Sequence, residues 1–214
     1  MLAERKTDIA ENDARLAPDD VARADAMVHA GKRLAFLAGR RLVRAALEAA
    51  TGLPGLTLDL VPDANGRLEL GGEPSQAIHF NISHGRIHDA VAVAQGVRVG
   101  IDVEEFAPPD RDGVAQAVMS PSEFPRFMGL PARKRDNAFL RLWTRKEAVM
   151  KAAGVGFLVE PRGFSVGVAD APLIVPAGAG GLPGGPWFVF DLPGAVPGAV
   201  ATEREPLRVR LISA

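Results

Sequence analysis

The chain holds 214 residues, 47% of them hydrophobic, with a formal net charge of −1 at pH 7, the make-up of a soluble protein of one or two domains able to bury a substantial core. Near-zero net charge argues against a nucleic-acid-binding role, and the lack of cysteine excludes disulfides, thiolate zinc sites and thiol nucleophiles, leaving oxygen and imidazole to hold any metal. No apolar run is long enough to span a membrane, and the charged start, Met1 to Arg15, lacks the apolar centre of a secretory signal, so a cytoplasmic protein is expected.

In chain order, a helix opens near Pro18-Asp19-Asp20, where Pro18 suits the first helical position, and continues through Val21, Ala22, Met27 and Val28. A second helix carries Phe36, Leu37, Leu42, Val43, Ala46 and Leu47 at intervals of three and four before Gly52 and Pro54 end it. Arg33, Arg40, Arg41 and Arg44 make its other face basic, read by default as solvated and more sharply as phosphate-binding for one or two of them. Two short strands follow, Leu56 to Val61 and Gly66 to Leu70, and the turn signal Asp63-Ala64-Asn65-Gly66 between them predicts a hairpin.

Ala77 to His84 then runs as a strand into Gly85, leaving Ser83 and His84 at its end. A capping serine with a satisfied imidazole and a ligand-binding pair fit that placement equally. The strand Ala90 to Ala94 is linked by Gln95-Gly96 to Val97–Glu104, and these two are expected to pair antiparallel. Along Val97–Glu104, alternation sends the valines and Ile101 to one face and Arg98, Gly100, Asp102 and Glu104 to the other. Two acids side by side are relieved by a cation, a basic side chain or water, and Gly100 leaves space beside them.

Met119 to Arg126 echoes Leu16 to Arg23, and Phe36-x3-Arg40-x3-Arg44 has a counterpart in Trp143-x3-Glu147-x3-Lys151. These two short repeats occur in the same order, which predicts duplicated α/β units. On a helix expected from about Asn137 to Ala153, Phe139, Trp143, Glu147 and Lys151 fall along one stripe. The aromatic rings draw that stripe inward, placing Glu147 and Lys151 at the lip of a cleft rather than in a surface ion pair. A third carboxylate beside Asp102 and Glu104 would suit Mg²⁺. Strands are further predicted at Gly163 to Val168, Trp187 to Asp191 and Leu207 to Ile212, with Pro176 to Pro186 a flexible loop.

Asn81-Ile82-Ser83-His84, Gly100-Ile101-Asp102-Val103-Glu104 and Trp143-Thr144-Arg145-Lys146-Glu147-Ala148-Val149-Met150-Lys151 resemble, in this order, the motifs of the 4'-phosphopantetheinyl transferases of the long, two-half, single-chain kind. The likeness runs over about residues 16–168. It implies an α+β fold of two similar α/β halves related by a pseudo-twofold, here residues 1–105 and 106–214, each a small, mostly antiparallel sheet packed with helices. The resemblance also implies an active site between the halves and transfer of the phosphopantetheine arm of coenzyme A to a serine of an apo acyl or peptidyl carrier protein. Adenosine 3',5'-bisphosphate leaves, magnesium is the cofactor, and a monomer is expected. Carried over by position, Asp102, Glu104 and Glu147 hold the metal, and Lys151 supports charge on the pyrophosphate. Ser83, His84 and Arg40 meet the nucleotide end, joined by Arg67, which stands where the family often has Gly-Lys-Pro.

Attack by a serine hydroxyl on the β-phosphorus needs a proton acceptor and neutralised phosphoryl charge, tasks suited to a carboxylate, a metal and a lysine. Glu147 acts as the base directly or through a water on the metal, and the sequence leaves both routes open. Two other classes stay in view: a magnesium-dependent hydrolase of a nucleotide pyrophosphate, and a carrier-binding module without catalysis. The presence of all three acids weighs against the latter.

Overall fold

In the computed structural model, the described residues are 1–4, 15–63, 67–71, 78–168 and 173–205. The chain divides into two compact units, Met1–Gly96 and Val97–Val209, with Arg210–Ala214 falling outside the described residues. Both are α+β with small antiparallel sheets. No helix among the described residues is long and apolar enough to cross a membrane.

The first unit contains β1 (Leu2–Glu4), α1 (Pro18–Asp25), α2 (Ala30–Thr51), β2 (Leu60–Pro62), β3 (Leu68–Leu70), β4 (Ile78–His84) and β5 (His88–Gln95). Leu42, Val43, Ala46 and Leu47 recur at helical spacing, so one face of α2 is apolar, and it packs on Phe80 and Val91 of the sheet β1-β5-β4. Each such side chain contributes roughly 1.5–3 kcal/mol on full burial. The opposite side of α2 receives α1 through Leu37, Ala24 and Leu16. The predicted hairpin forms as β2 against β3, although residues 64–66 of its turn lie outside the described residues, as does Ala77 ahead of β4. Leu56 is not in a strand. It sits in the 3-10 turn Gly55–Thr57, because Arg44 of α2 draws in the carbonyls of Gly55 and Leu58 at 2.8 and 3.0 Å.

The second unit contains β6 (Val99–Val103), α3 (Arg111–Val118), α4 (Phe124–Met128), α5 (Ala132–Ala153), β7 (Leu173–Val175), β8 (Trp187–Asp191) and β9 (Gly198–Thr202). Its sheet runs β6-β9-β8-β7, antiparallel throughout. The long helix α5 buries Leu142, Val149, Met150 and Ala152 among Trp187, Val189, Ala199 and Ala201. It starts at Ala132 rather than Asn137, since its first turns are polar and show no apolar period.

Two strand expectations fail for identifiable reasons. β6 pairs with β9 and not with β5, whose two edges are already occupied by β1 and β4. Gly163–Val168 forms no strand. A 3-10 turn covers Pro161–Gly163, and the amides of Val166 and Gly167 donate to the Glu123 carboxylate at 2.7 and 3.0 Å instead of to a neighbouring strand. The predicted strand Leu207 to Ile212 lies outside the described residues.

Each unit carries the same local device. In the first, Asp20 accepts from Arg44 at 2.9 Å, and Arg44 also reaches the 3-10 turn at Gly55 and Leu58. In the second, Glu123 pairs with Lys146 at 3.0 Å, and Lys146 reaches the 3-10 turn through the carbonyls of Pro161 and Phe164. Asp20 and Glu123 are the residues that the echo between Leu16–Arg23 and Met119–Arg126 aligns. Arg44 and Lys146 are each the fifteenth residue of a 22-residue helix, and both helices end on a left-handed glycine, Gly52 and Gly154. In this device Lys146 takes the place that Arg44 holds in the first unit.

Candidate active site

The acidic residues of the second unit are brought together by a close approach of α5 to β6. Gly100 makes that approach possible, because a Cβ there would collide with the Ala148 carbonyl oxygen and the Ala152 amide nitrogen. The space left by Gly100 is thus filled by helix backbone. One turn apart on the same helix, Glu147 and Lys151 reach the acidic end of β6. Lys151 donates from Nζ to Asp102 Oδ1 at 2.7 Å and to the Ile101 carbonyl at 3.2 Å. Asp102 is 4% exposed, so the lysine offsets a charge that burial would otherwise make costly.

Glu147 has less support. Its Oε1 is buried without a hydrogen bond among the described residues. Burial first, and then the Asp102 charge, push its carboxyl up from the ordinary 4.5 to about 7, with Glu104 adding to the rise and Lys151 opposing it. Glu104 is shifted upward too, by burial, then Asp102 and Glu105, against Lys151. Upstream on the helix, the rings of Phe139 and Trp143 stack with centroids 6.3 Å apart, as the aromatic part of the stripe requires.

Among the described residues no three acidic or imidazole side chains converge closely enough to enclose a metal ion. The donor chemistry nonetheless fits a hard divalent cation. The available ligands are carboxylate oxygens, and a buried Glu147 oxygen lacking a hydrogen bond beside a second acid is relieved by positive charge.

In the first unit, a pocket of about 320 Å³ is lined by Arg40, Arg67 and His84 together with Phe36, Gly39, Phe80 and Ile82. Arg40 is 9% exposed, stacks over the Phe36 ring at 4.9 Å and holds Asp20 through Nε at 3.3 Å. Its Nη1 is buried with no hydrogen-bond partner among the described residues, and burial lowers its pKa against the pull of Asp20. The solvated-face reading of the α2 arginines therefore fails for Arg40 and for Arg44, which is buried in its ion pair. It fits Arg33, which meets Asp25 at the surface at 2.6 Å.

From β4, Phe80, Asn81, Ile82 and His84 line this pocket, while Ser83 is buried and is not among its lining residues. Two further residues shape the pocket. Gly39 lets α2 lie against the imidazole, and His84 Nδ1 lies 3.0 Å from Asp89 Oδ1, within hydrogen-bond distance. A glycine inside a helix and an acid inside an otherwise apolar strand are the sequence signals that point to them.

Residues 98–177 match the family model described as the 4'-phosphopantetheinyl transferase superfamily. The 4'-phosphopantetheinyl transferase HetI of Nostoc sp. is 31% identical over 145 residues, 67% of this chain and 61% of the relative. The transferase psf-1 of Bacillus pumilus is 32% identical over 56% of this chain and 50% of its own length. A 4'-phosphopantetheinyl transferase of Bacillus subtilis is 31% identical over 63% and 58%.

The chain belongs to the 4'-phosphopantetheinyl transferase superfamily.

Its matches span less than two thirds of the length of these curated relatives. Within the segment matched to the 4'-phosphopantetheinyl transferase superfamily stand Asp102, Glu104, Glu147 and Lys151, whereas Arg40, Arg67, Ser83 and His84 lie outside it.

Proposed function

We propose that the protein is a 4'-phosphopantetheinyl transferase that moves the phosphopantetheine arm of coenzyme A onto a serine of an apo acyl or peptidyl carrier protein with magnesium, releasing adenosine 3',5'-bisphosphate. The observation that carries the reading is Glu147, a buried carboxyl pushed up to about 7 beside Asp102 and Glu104 on the helix and strand of the family segment. Asp102, Glu104 and Glu147 would hold the cation. Magnesium, when bound, neutralises the pyrophosphate oxygens and polarises the phosphorus under attack.

The chain's own groups do the rest. Glu147 is assigned the serine proton, taken directly or through a water, as the oxygen–phosphorus bond forms. The bond from that phosphorus to the bridging pyrophosphate oxygen breaks, and adenosine 3',5'-bisphosphate departs with the electron pair. Lys151 fixes Asp102 and supplies positive charge next to the developing negative charge. The adenosine phosphates are assigned to Arg40, Arg67 and His84, where the hydrogen-bonding capacity left on Arg40 Nη1 supports anion binding. The two units are taken as the halves of a duplicated single chain acting as a monomer, supported by the acid–cation device each contains.

Intact-mass measurement of a panel of apo carrier proteins incubated with coenzyme A and magnesium tests this directly. Addition of one phosphopantetheine to a carrier is expected. Hydrolysis of coenzyme A with every carrier unmodified would instead place the protein among pyrophosphate hydrolases.

A further inference from the structure

The side chain of His84 is held from two directions that the family motif does not explain. A Cβ on Gly39 would come within 2.5 Å of His84 Cε1 and 3.3 Å of Nε2, so the helix backbone bounds the ring on that side. On the other, Nδ1 meets Asp89 Oδ1 at 3.0 Å, across the β4–β5 ladder in which His84 and Asp89 are direct partners. Asp89 is 2% exposed, while the His84 side chain is 45% exposed. An ionised carboxylate only accepts hydrogen bonds, so an ionised Asp89 pairs with a hydrogen on Nδ1.

We propose that Asp89 is a positioning residue that commits His84 to the Nδ1–H form and turns Nε2 to the pocket shared with Arg40 and Arg67. Nε2 is then the nitrogen that meets an anionic ligand. A phosphate oxygen only accepts, so it is met by an Nε2–H, and Asp89 is the carboxylate that balances a ring carrying hydrogen on both nitrogens. Among the described residues, the charged groups that line this pocket or meet the ring are Asp89 from β5, Arg40 from α2 and Arg67 ahead of β3. Assignment of the phosphate to coenzyme A rests on the function proposed above; the state of the imidazole does not.

The test uses ligand-free protein labelled with ¹⁵N-histidine, its four histidines read by long-range ¹H–¹⁵N correlation and His84 assigned by loss of its signal in His84→Gln. The neutral ring is expected as Nδ1–H in the native protein and to shift toward Nε2–H in Asp89→Asn. A neutral His84 that is Nε2–H in the native protein would overturn the proposal, and this spectrum decides even if the variant does not fold. In parallel, calorimetry with coenzyme A is expected to show about 10-fold weaker binding for Asp89→Asn, the scale on which the outer partner of a binding imidazole acts. No further weakening is expected when Asp89→Asn is added to His84→Gln. An equal loss in that background would make Asp89 merely structural and refute the positioning role. If the native protein binds no coenzyme A, the functional reading falls, while the spectrum still judges the Asp89–His84 pair.

Discussion

Glu147 concentrates the energetics of the acidic site, and its titration gives a stability signature. The folded chain keeps a proton on Glu147 up to about pH 7 that the unfolded chain releases near 4.5. Between those values the folded state binds more protons, so stability falls as pH rises through the window and levels off above it. The full loss is on the order of 3 kcal/mol, at about 1.4 kcal/mol for each pH unit between the two midpoints. Thermal unfolding of metal-free protein should therefore show a falling midpoint from pH 4.5 to 7, flattened in Glu147→Gln. A midpoint that rises across this range would contradict the burial of an unsupported carboxyl. At the other site, Arg40→Ala is expected to weaken coenzyme A binding more than binding of dephospho-coenzyme A, which lacks the 3'-phosphate. Equal losses in calorimetry would show that Arg40 does not read that phosphate.

At the scale of elements, the site depends on how closely α5 lies on β6. Gly100→Ala forces a methyl into the backbone at Ala148 and Ala152, where no flexible side chain can yield. A loss of at least about 3 kcal/mol in urea unfolding is expected, the upper range for overpacking. Gly31→Ala in α2, with nothing within 4 Å of the added methyl, should be neutral or stabilising by up to about 1 kcal/mol. Similar effects at both positions would remove the close approach as the explanation.

Lys146 offers a second check. It is fully buried, its ammonium lowered by burial against the pull of Glu123. Despite its own burial, Glu123 is held below the usual carboxylate range by Lys146 and by the amides of Ser120 and Val166. Lys146→Met leaves Glu123 charged and buried and should cost roughly 3–5 kcal/mol. A loss under about 1 kcal/mol would show that this pair does not lock α5 to the turn at Pro161–Gly163.

Across the whole molecule, what is legible in the sequence is whatever is encoded by neighbours in the chain. The apolar stripe of α2, the hairpin of β2 and β3 and the stripe Phe139–Trp143–Glu147–Lys151 all follow from local periodicity. Pairing between distant segments is not legible. Nothing in Val97–Glu104 names β9, about a hundred residues on, as its partner, and alternation alone fits any free edge. Nor do the motifs reveal that Lys151 pairs with Asp102, that Ser83 is not among the residues lining the pocket, or that Gly39 and Asp89 shape the place of His84 in it. Those facts depend on burial and close approach, which spacing does not carry.

The central claim is that Glu147 does chemistry on a phosphopantetheine transfer. Single-turnover transfer to one apo carrier protein, measured by intact mass with coenzyme A and magnesium for the native protein and Glu147→Gln side by side, tests it most directly. The account predicts complete conversion by the native protein and a fall of at least about 10²–10³-fold in rate for the variant, the scale on which one preorganised electrostatic group acts. Near-normal transfer by Glu147→Gln would contradict it.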